Sequence, residues 1–154
     1  MTRNFLRGQK CAMLLLGSVC GAATITSADM TTISDARIAR LDAFFRAHHC
    51  PAPLLTSEYL AAADANFIDY RLLPAVSVRE STCGLHARHN NRWGWNSAKT
   101  SFETLVHGIR YIARELASGR YYRGKTLEEK LQVYNPNPNY PAEVRKLMRE
   151  IETD

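Results

Sequence analysis

The stretch LLPAVSV (72–78) is apolar on nearly every side when wound as a helix. A surface helix keeps one polar face for water, so a segment lacking that face belongs at the centre of a fold, enclosed by other elements. Strand patterns are weak throughout this chain, so the enclosing elements should be helices. Ile38, Leu41, Phe44 and Phe45 recur at helical spacing and predict an amphipathic helix over 34–49, capped by Ser34 or Asp35 and stopped before Pro51. SEYLAAADANF (57–67) is alanine-rich and favours a second helix. The central helix should run from near Asp69 to about Ser81, with Pro74 tolerated in its first turns.

Glycines, asparagines and serines in residues 84–101 predict a loop or a short β-ribbon. Ser101 is the expected cap of a long helix that carries Leu105, Ile109, Ile112, Ala113 and Leu116 and ends at Gly119. Thr126 and Glu129 have capping-box spacing at the head of TLEEKLQVY (126–134). NPNPN (135–139) breaks the chain, and Pro141 suits the first turn of a last helix through about Glu150. The expected fold is mainly α, a single domain over 34–152 with a short loop or β-ribbon after the central helix. At 154 residues the chain has the usual size for one core.

Residues 1–28 stand apart. Arg3, Arg7 and Lys10 precede the uncharged run CAMLLLGSVCGAATI, and GAA (21–23) and TSA (26–28) end in small residues that suit a signal peptidase. The run is shorter than the ~20 apolar residues of a membrane span. Cys20 raises a lipoprotein reading, but Val19 fits poorly before a lipidated cysteine. The chain is therefore expected to be secreted or periplasmic, with no stable membrane insertion after cleavage. Cleavage would leave Cys50 and Cys83, which in an oxidising compartment read first as a disulfide and otherwise as two buried thiols. Such a bridge would contribute about 3–4 kcal/mol.

The formal net charge is +5, and without Arg3, Arg7 and Lys10 it falls to +2. Distribution matters more than the sum. Between Arg71 and Lys125 the only acids are Glu80, Glu103 and Glu115. A basic middle favours an anionic partner, and for an exported chain a cell-wall polymer or lipid surface ranks above nucleic acid. A solvated basic face gives the same composition. His48, His49, His86 and His89 match no zinc spacing, so neither metal nor cofactor is expected.

The central helix ends in SVRESTCG (77–84). Glu80 lies four residues after Val76 and seven after Leu73, on the same inward face. Lost hydration and the helix C-terminal dipole should both favour its protonated form, as a general acid for glycoside cleavage requires. Arg79 and the basic loop beyond act the other way, and an exposed Glu at a helix end is the commoner case. HNNRWGW (89–95) supplies amides, two indoles and a glycine that allows close approach. If this run is extended, Trp93 and Trp95 point to opposite sides, one toward the core and one toward a cleft. YYRG (121–124) and VYNPNPNY (133–140) add tyrosines around a rigid turn.

Taken together, DYRLLPAVSVRESTCG, NNRWGW, SFETLVHGIRYIA, YYRGKTLEEKLQVYNP and NPNYPAEVRKLMREI resemble, in order and spacing, the glucosaminidase domain of bacterial peptidoglycan hydrolases. The resemblance covers about residues 38–151 and implies a lysozyme-like fold. It implies that Glu80 is the catalytic acid, a pattern shared with lytic transglycosylases, and that Tyr134 or Tyr140 stands at the active site. Ser81, Asn90, Asn91, Trp93, Trp95, Tyr122 and Asn135 become the expected contacts to a peptidoglycan strand, and the protein an expected monomer. A Cys50–Cys83 bridge would anchor the loop after the acid, and Gly84 would turn the chain from the cleft. Better-known members carry a second acid on a β-hairpin here. This chain has no room for that hairpin and no acid between Glu80 and Glu103. A one-acid route then remains, using the substrate acetamide as nucleophile or an internal hydroxyl that closes an anhydro ring. A non-catalytic wall-binding module on the same fold is the alternative from another class.

Overall fold

A computed structural model describes residues 35–153; the expected signal segment lies outside them. Among the described residues there are six helices and no strand: α1 (Ala36–Ala47), α2 (Thr56–Asn66), α3 (Leu72–Ser81), α4 (Leu105–Ser118), α5 (Leu127–Tyr134) and α6 (Tyr140–Thr153). Residues 84–101 form successive turns, so of the two expected forms the loop is the one adopted.

The apolar stretch that opens α3 is enclosed. Every residue from Leu72 to Ser77 is buried, and α3 packs against α4 and α6. The rest of the shell follows from amphipathic faces: α1 lies on α2 and α6, α2 on α4, and α5 on α6. Leu41, Phe44 and Phe45 from α1 meet Tyr59 from α2 and Ile109 and Ile112 from α4 in one core. Trp93, from the loop after α3, is inserted into that core at 0 % exposure. Its ring leaves no room on α4 for a side chain at Gly108, where an added Cβ would stand 2.6 Å from the indole. No helix among the described residues is long and apolar enough to cross a membrane.

Capping explains most helix ends. Asp35, rather than Ser34, caps α1 by accepting the Arg37 N–H at 2.9 Å. The capping box of α5 is complete: Glu129 accepts the Thr126 N–H at 2.7 Å and donates its own N–H to the Thr126 hydroxyl. The α4 cap differs from expectation. It is Thr104, not Ser101, and Glu103 precedes the helix instead of standing in its first turn. Residues 101–103 are engaged elsewhere. Phe102 is buried beside Trp93, its N–H donates to the His89 carbonyl at 2.9 Å, and Asn90 Nδ2 donates to the Phe102 and Glu103 carbonyls. A helix starting at Ser101 would pull Phe102 from this pocket.

NPNPN forms a ladder of side-chain turns. The Asn135 amide oxygen accepts the Asn137 N–H at 3.1 Å, and that of Asn137 accepts the Asn139 N–H at 2.9 Å. Each intervening proline fixes φ and has no N–H to satisfy. The ladder sets the distance between Tyr134, which ends α5, and Tyr140, which starts α6.

Candidate active site

Glu80 stands in the last turn of α3, half-buried, where the enclosed helix first reaches solvent. The chain then reverses sharply. Thr82, Cys83 and Gly84 all have positive φ, and the N–H groups of Thr82 and Cys83 return to the carbonyls of Val78 and Ser77. This satisfies helix-end carbonyls that would otherwise face the cleft. Cys83 meets Cys50, just beyond α1, with Cα atoms 5.3 Å apart, a separation compatible with a disulfide. The turn also needs a glycine, since a Cβ on Gly84 would stand 2.7 Å from the buried Arg92 side chain.

The acid lines one of two hollows that adjoin at Gly94. The first, about 400 Å³, is lined by Glu80, Ser81, Asn91 and Gly94 together with His86, Arg88 and His89. The second, about 270 Å³, is lined by Gly94, Trp95, Tyr121, Tyr122 and Tyr134. Gly94 borders both. A Cβ at this glycine would stand 2.8 Å from Glu80 Oε2, and its φ is +61°. Only a glycine lets the loop lie against the carboxylate here. Among the residues lining either hollow, Glu80 is the sole carboxylate.

The two tyrosines take different positions. The Tyr134 hydroxyl donates to the Trp93 carbonyl at 2.5 Å and so ties α5 to the loop. Its ring lines the second hollow and stacks parallel to Tyr140, with centroids 6.0 Å apart. The Tyr140 hydroxyl is buried and closes no well-formed hydrogen bond. Burial, then the neighbouring Tyr134, then Glu80 push its pKa far up, so it stays a phenol and a donor. The same effects, burial first and Glu80 next, raise Tyr134. Arg79 is drawn away from the acid: its guanidinium donates to Glu143 at 2.6 Å and lies 5.9 Å from the Tyr140 ring.

The predicted glycan contacts divide. Trp95, Tyr122 and Tyr134 come together in the aromatic hollow, with Trp95 5.7 Å from Tyr122 and 5.6 Å from Tyr134. Burial, with Glu115 nearby, pushes the Tyr122 hydroxyl up to about 12. Trp93 is enclosed by Tyr59 and Phe102 and presents no face to a ligand. Asn91 also serves the loop. It donates to the Trp95 and Thr100 carbonyls at 3.0 and 2.9 Å and accepts the Trp95 N–H at 2.9 Å. The Asn90 amide holds the Phe102 and Glu103 carbonyls. Ser81 Oγ donates to the Arg92 carbonyl at 2.6 Å, pinning the loop to α3. Asn135 shapes the turn before α6 and lines neither hollow.

His86, Arg88 and His89 also line the first hollow, and the sequence signal for them is the absence of acids between Glu80 and Glu103. Backbone strain points there too. Of ten non-glycine residues with positive φ among the described residues, seven fall within residues 82–98. Such conformations persist where the surroundings enforce them, and they gather at functional sites. His48, one of the four histidines considered as ligands, lies 3.1 Å from Glu150, and no group of three His, Cys, Asp or Glu suited to a metal occurs among the described residues. Comparison with protein-family models, with curated proteins and with solved structures found no match to this chain.

Proposed function

We propose that this protein is an exported glycosidase that cleaves peptidoglycan strands, with Glu80 as its one catalytic acid. The observation that carries the reading is a lone carboxylate, Glu80, lining a polar hollow that adjoins an aromatic one at Gly94, packed against that glycine and faced by a buried phenol. Aromatic rings offer the faces on which sugar C–H surfaces stack, and the aromatic hollow adjoins the one that holds the acid. The resemblance of SVRESTCG and its neighbours to glucosaminidase domains supports the same choice, as does a disulfide-compatible pair, Cys50 and Cys83, which suits an oxidising compartment. The lysozyme-like fold belongs to this proposal.

In the proposed reaction Glu80 gives its proton to the glycosidic oxygen as the C1–O bond breaks. No other lining carboxylate attacks C1. The acetamide oxygen of the same sugar does so and forms a cyclic oxazolinium ion. Water then adds to C1 and returns a proton to the Glu80 carboxylate. Tyr140, held as a phenol, donates toward Glu80 and steadies its orientation. If the sugar's own C6 hydroxyl attacks instead, its proton returns to Glu80 and an anhydro end results. The lack of a second lining acid favours both one-acid routes over paired-carboxylate hydrolysis.

Glu80→Gln should lower release of soluble fragments from purified cell wall by about 10²–10⁴-fold, with an unchanged circular-dichroism spectrum. Activity like the parent's in that folded variant would refute the assignment. Mass spectrometry of the parent's products separates reducing from anhydro ends. Sedimentation with the wall and no soluble release by the parent would instead identify a binding module.

A further inference from the structure

The two hollows differ in charge as well as in shape. The wall of His86, Arg88 and His89 is cationic or hydrogen-bond donating, while the other wall is rings. Arg88 is exposed, and no carboxylate among the described residues lies within ion-pair distance of it, whereas Arg71, Arg79 and Arg110 from the same basic middle all have carboxylate partners. No acid occurs anywhere in residues 81–102. At the end of α3 the carbonyls of Ser77, Val78 and Ser81, which would repel an anion, accept from the N–H groups of Cys83, Thr82, Gly84 and His86.

We infer that the hollow of His86, Arg88 and His89 is an anion subsite that takes a carboxylate borne by the glycan, while the aromatic hollow takes a neutral N-acetylhexosamine. The inference rests on the glycosidase reading and adds a direction to it. The acidic residue of an alternating strand lies on the Arg88 side of Glu80, and the bond beside Gly94 joins it to its neutral neighbour. Two sources share this chemistry, a carboxylate on the sugar itself and one on an attached peptide.

The test uses the Glu80→Gln protein, which should bind without cleaving, and three probes: a neutral N-acetylglucosamine tetrasaccharide, a peptide-free tetrasaccharide alternating N-acetylglucosamine with N-acetylmuramic acid, and the same strand bearing its peptides. Calorimetric titration at low salt should give roughly threefold to fivefold tighter binding of an acidic probe than of the neutral one, the scale of one exposed charge pair. In 1 M salt the preference should vanish. Adding Arg88→Gln should bring the ratio of acidic to neutral affinity close to one. A preference seen with the peptide-free strand assigns the carboxylate to the sugar, and one seen only with peptides assigns it to them. Equal affinity for all probes in the Arg88 protein overturns the subsite while leaving the glycosidase reading intact. An equal loss for acidic and neutral probes on Arg88→Gln also overturns it. If no glycan binds, or a single-stranded oligonucleotide binds more tightly than any, both readings fall.

Discussion

On one side of Gly94 the cleft wall is backbone held in place by side chains. Asn91, Asn90 and Ser81 donate to five carbonyls of residues 92–103, and the chain they hold takes positive φ at His89, Asn90 and Ala98. On the other side the wall is rings. The rings of Tyr122 and Tyr134 lie within 6 Å of that of Trp95, and Tyr134 and Tyr140 rest on helices. Directional bonds can hold a strained loop in one shape; ring packing tolerates small shifts without losing its contacts. The first wall is thus suited to fixed placement of polar groups, and the second to broad sugar faces.

Removing the link between the walls and the rest of the fold should have the largest effect on stability. Replacing Cys50 and Cys83 together by serine should lower unfolding free energy by about 3–4 kcal/mol. Chemical denaturation measures this, and thiol titration of unreduced, denatured protein without residues 1–28 should find no free thiol.

Asn91→Ala should come next, at about 2–3 kcal/mol, because it leaves buried carbonyls and the Trp95 N–H without partners. Hydrogen exchange should show protection lost over residues 91–100 and kept in α1, α2 and α6. Equal loss in every helix would mean that the loop is not a separate unit.

The finest test separates the stacked tyrosines. Tyr140→Phe should reduce wall cleavage by roughly tenfold or more with little change in stability, since the removed hydroxyl faces Glu80 and makes no structural bond. Tyr134→Phe should cost about 1 kcal/mol in stability by freeing the Trp93 carbonyl, with the smaller effect on turnover. Reversed results would exchange their roles.

Much of the helical frame was legible in the sequence because its causes are local. Apolar spacing marked α1 and α4, the Thr126–Glu129 box marked α5, and the lack of any polar face put LLPAVSV at the centre. Glu80 followed from the phase of that helix, and its neighbours Leu73 and Val76 are buried as expected. Helical phase could not separate Trp93 from Trp95, or Tyr134 from Tyr140. Those differences depend on residues far along the chain: Gly108 makes room for one indole, and the Trp93 carbonyl takes up one hydroxyl. Asparagines that read as sugar donors are spent on the loop itself, because buried carbonyls need partners before any ligand can claim them.

By itself the sequence determined that an enclosed helix would end in a carboxylate beside an acid-free basic loop, since hydrophobic phase and composition are properties of neighbouring residues. Tertiary structure alone decided what surrounds that carboxylate. Gly94 from the loop, Tyr140 from the far end of the chain and the two unlike walls meet Glu80 only because α3, α5 and α6 pack together, and contacts of such sequence separation leave no periodic trace.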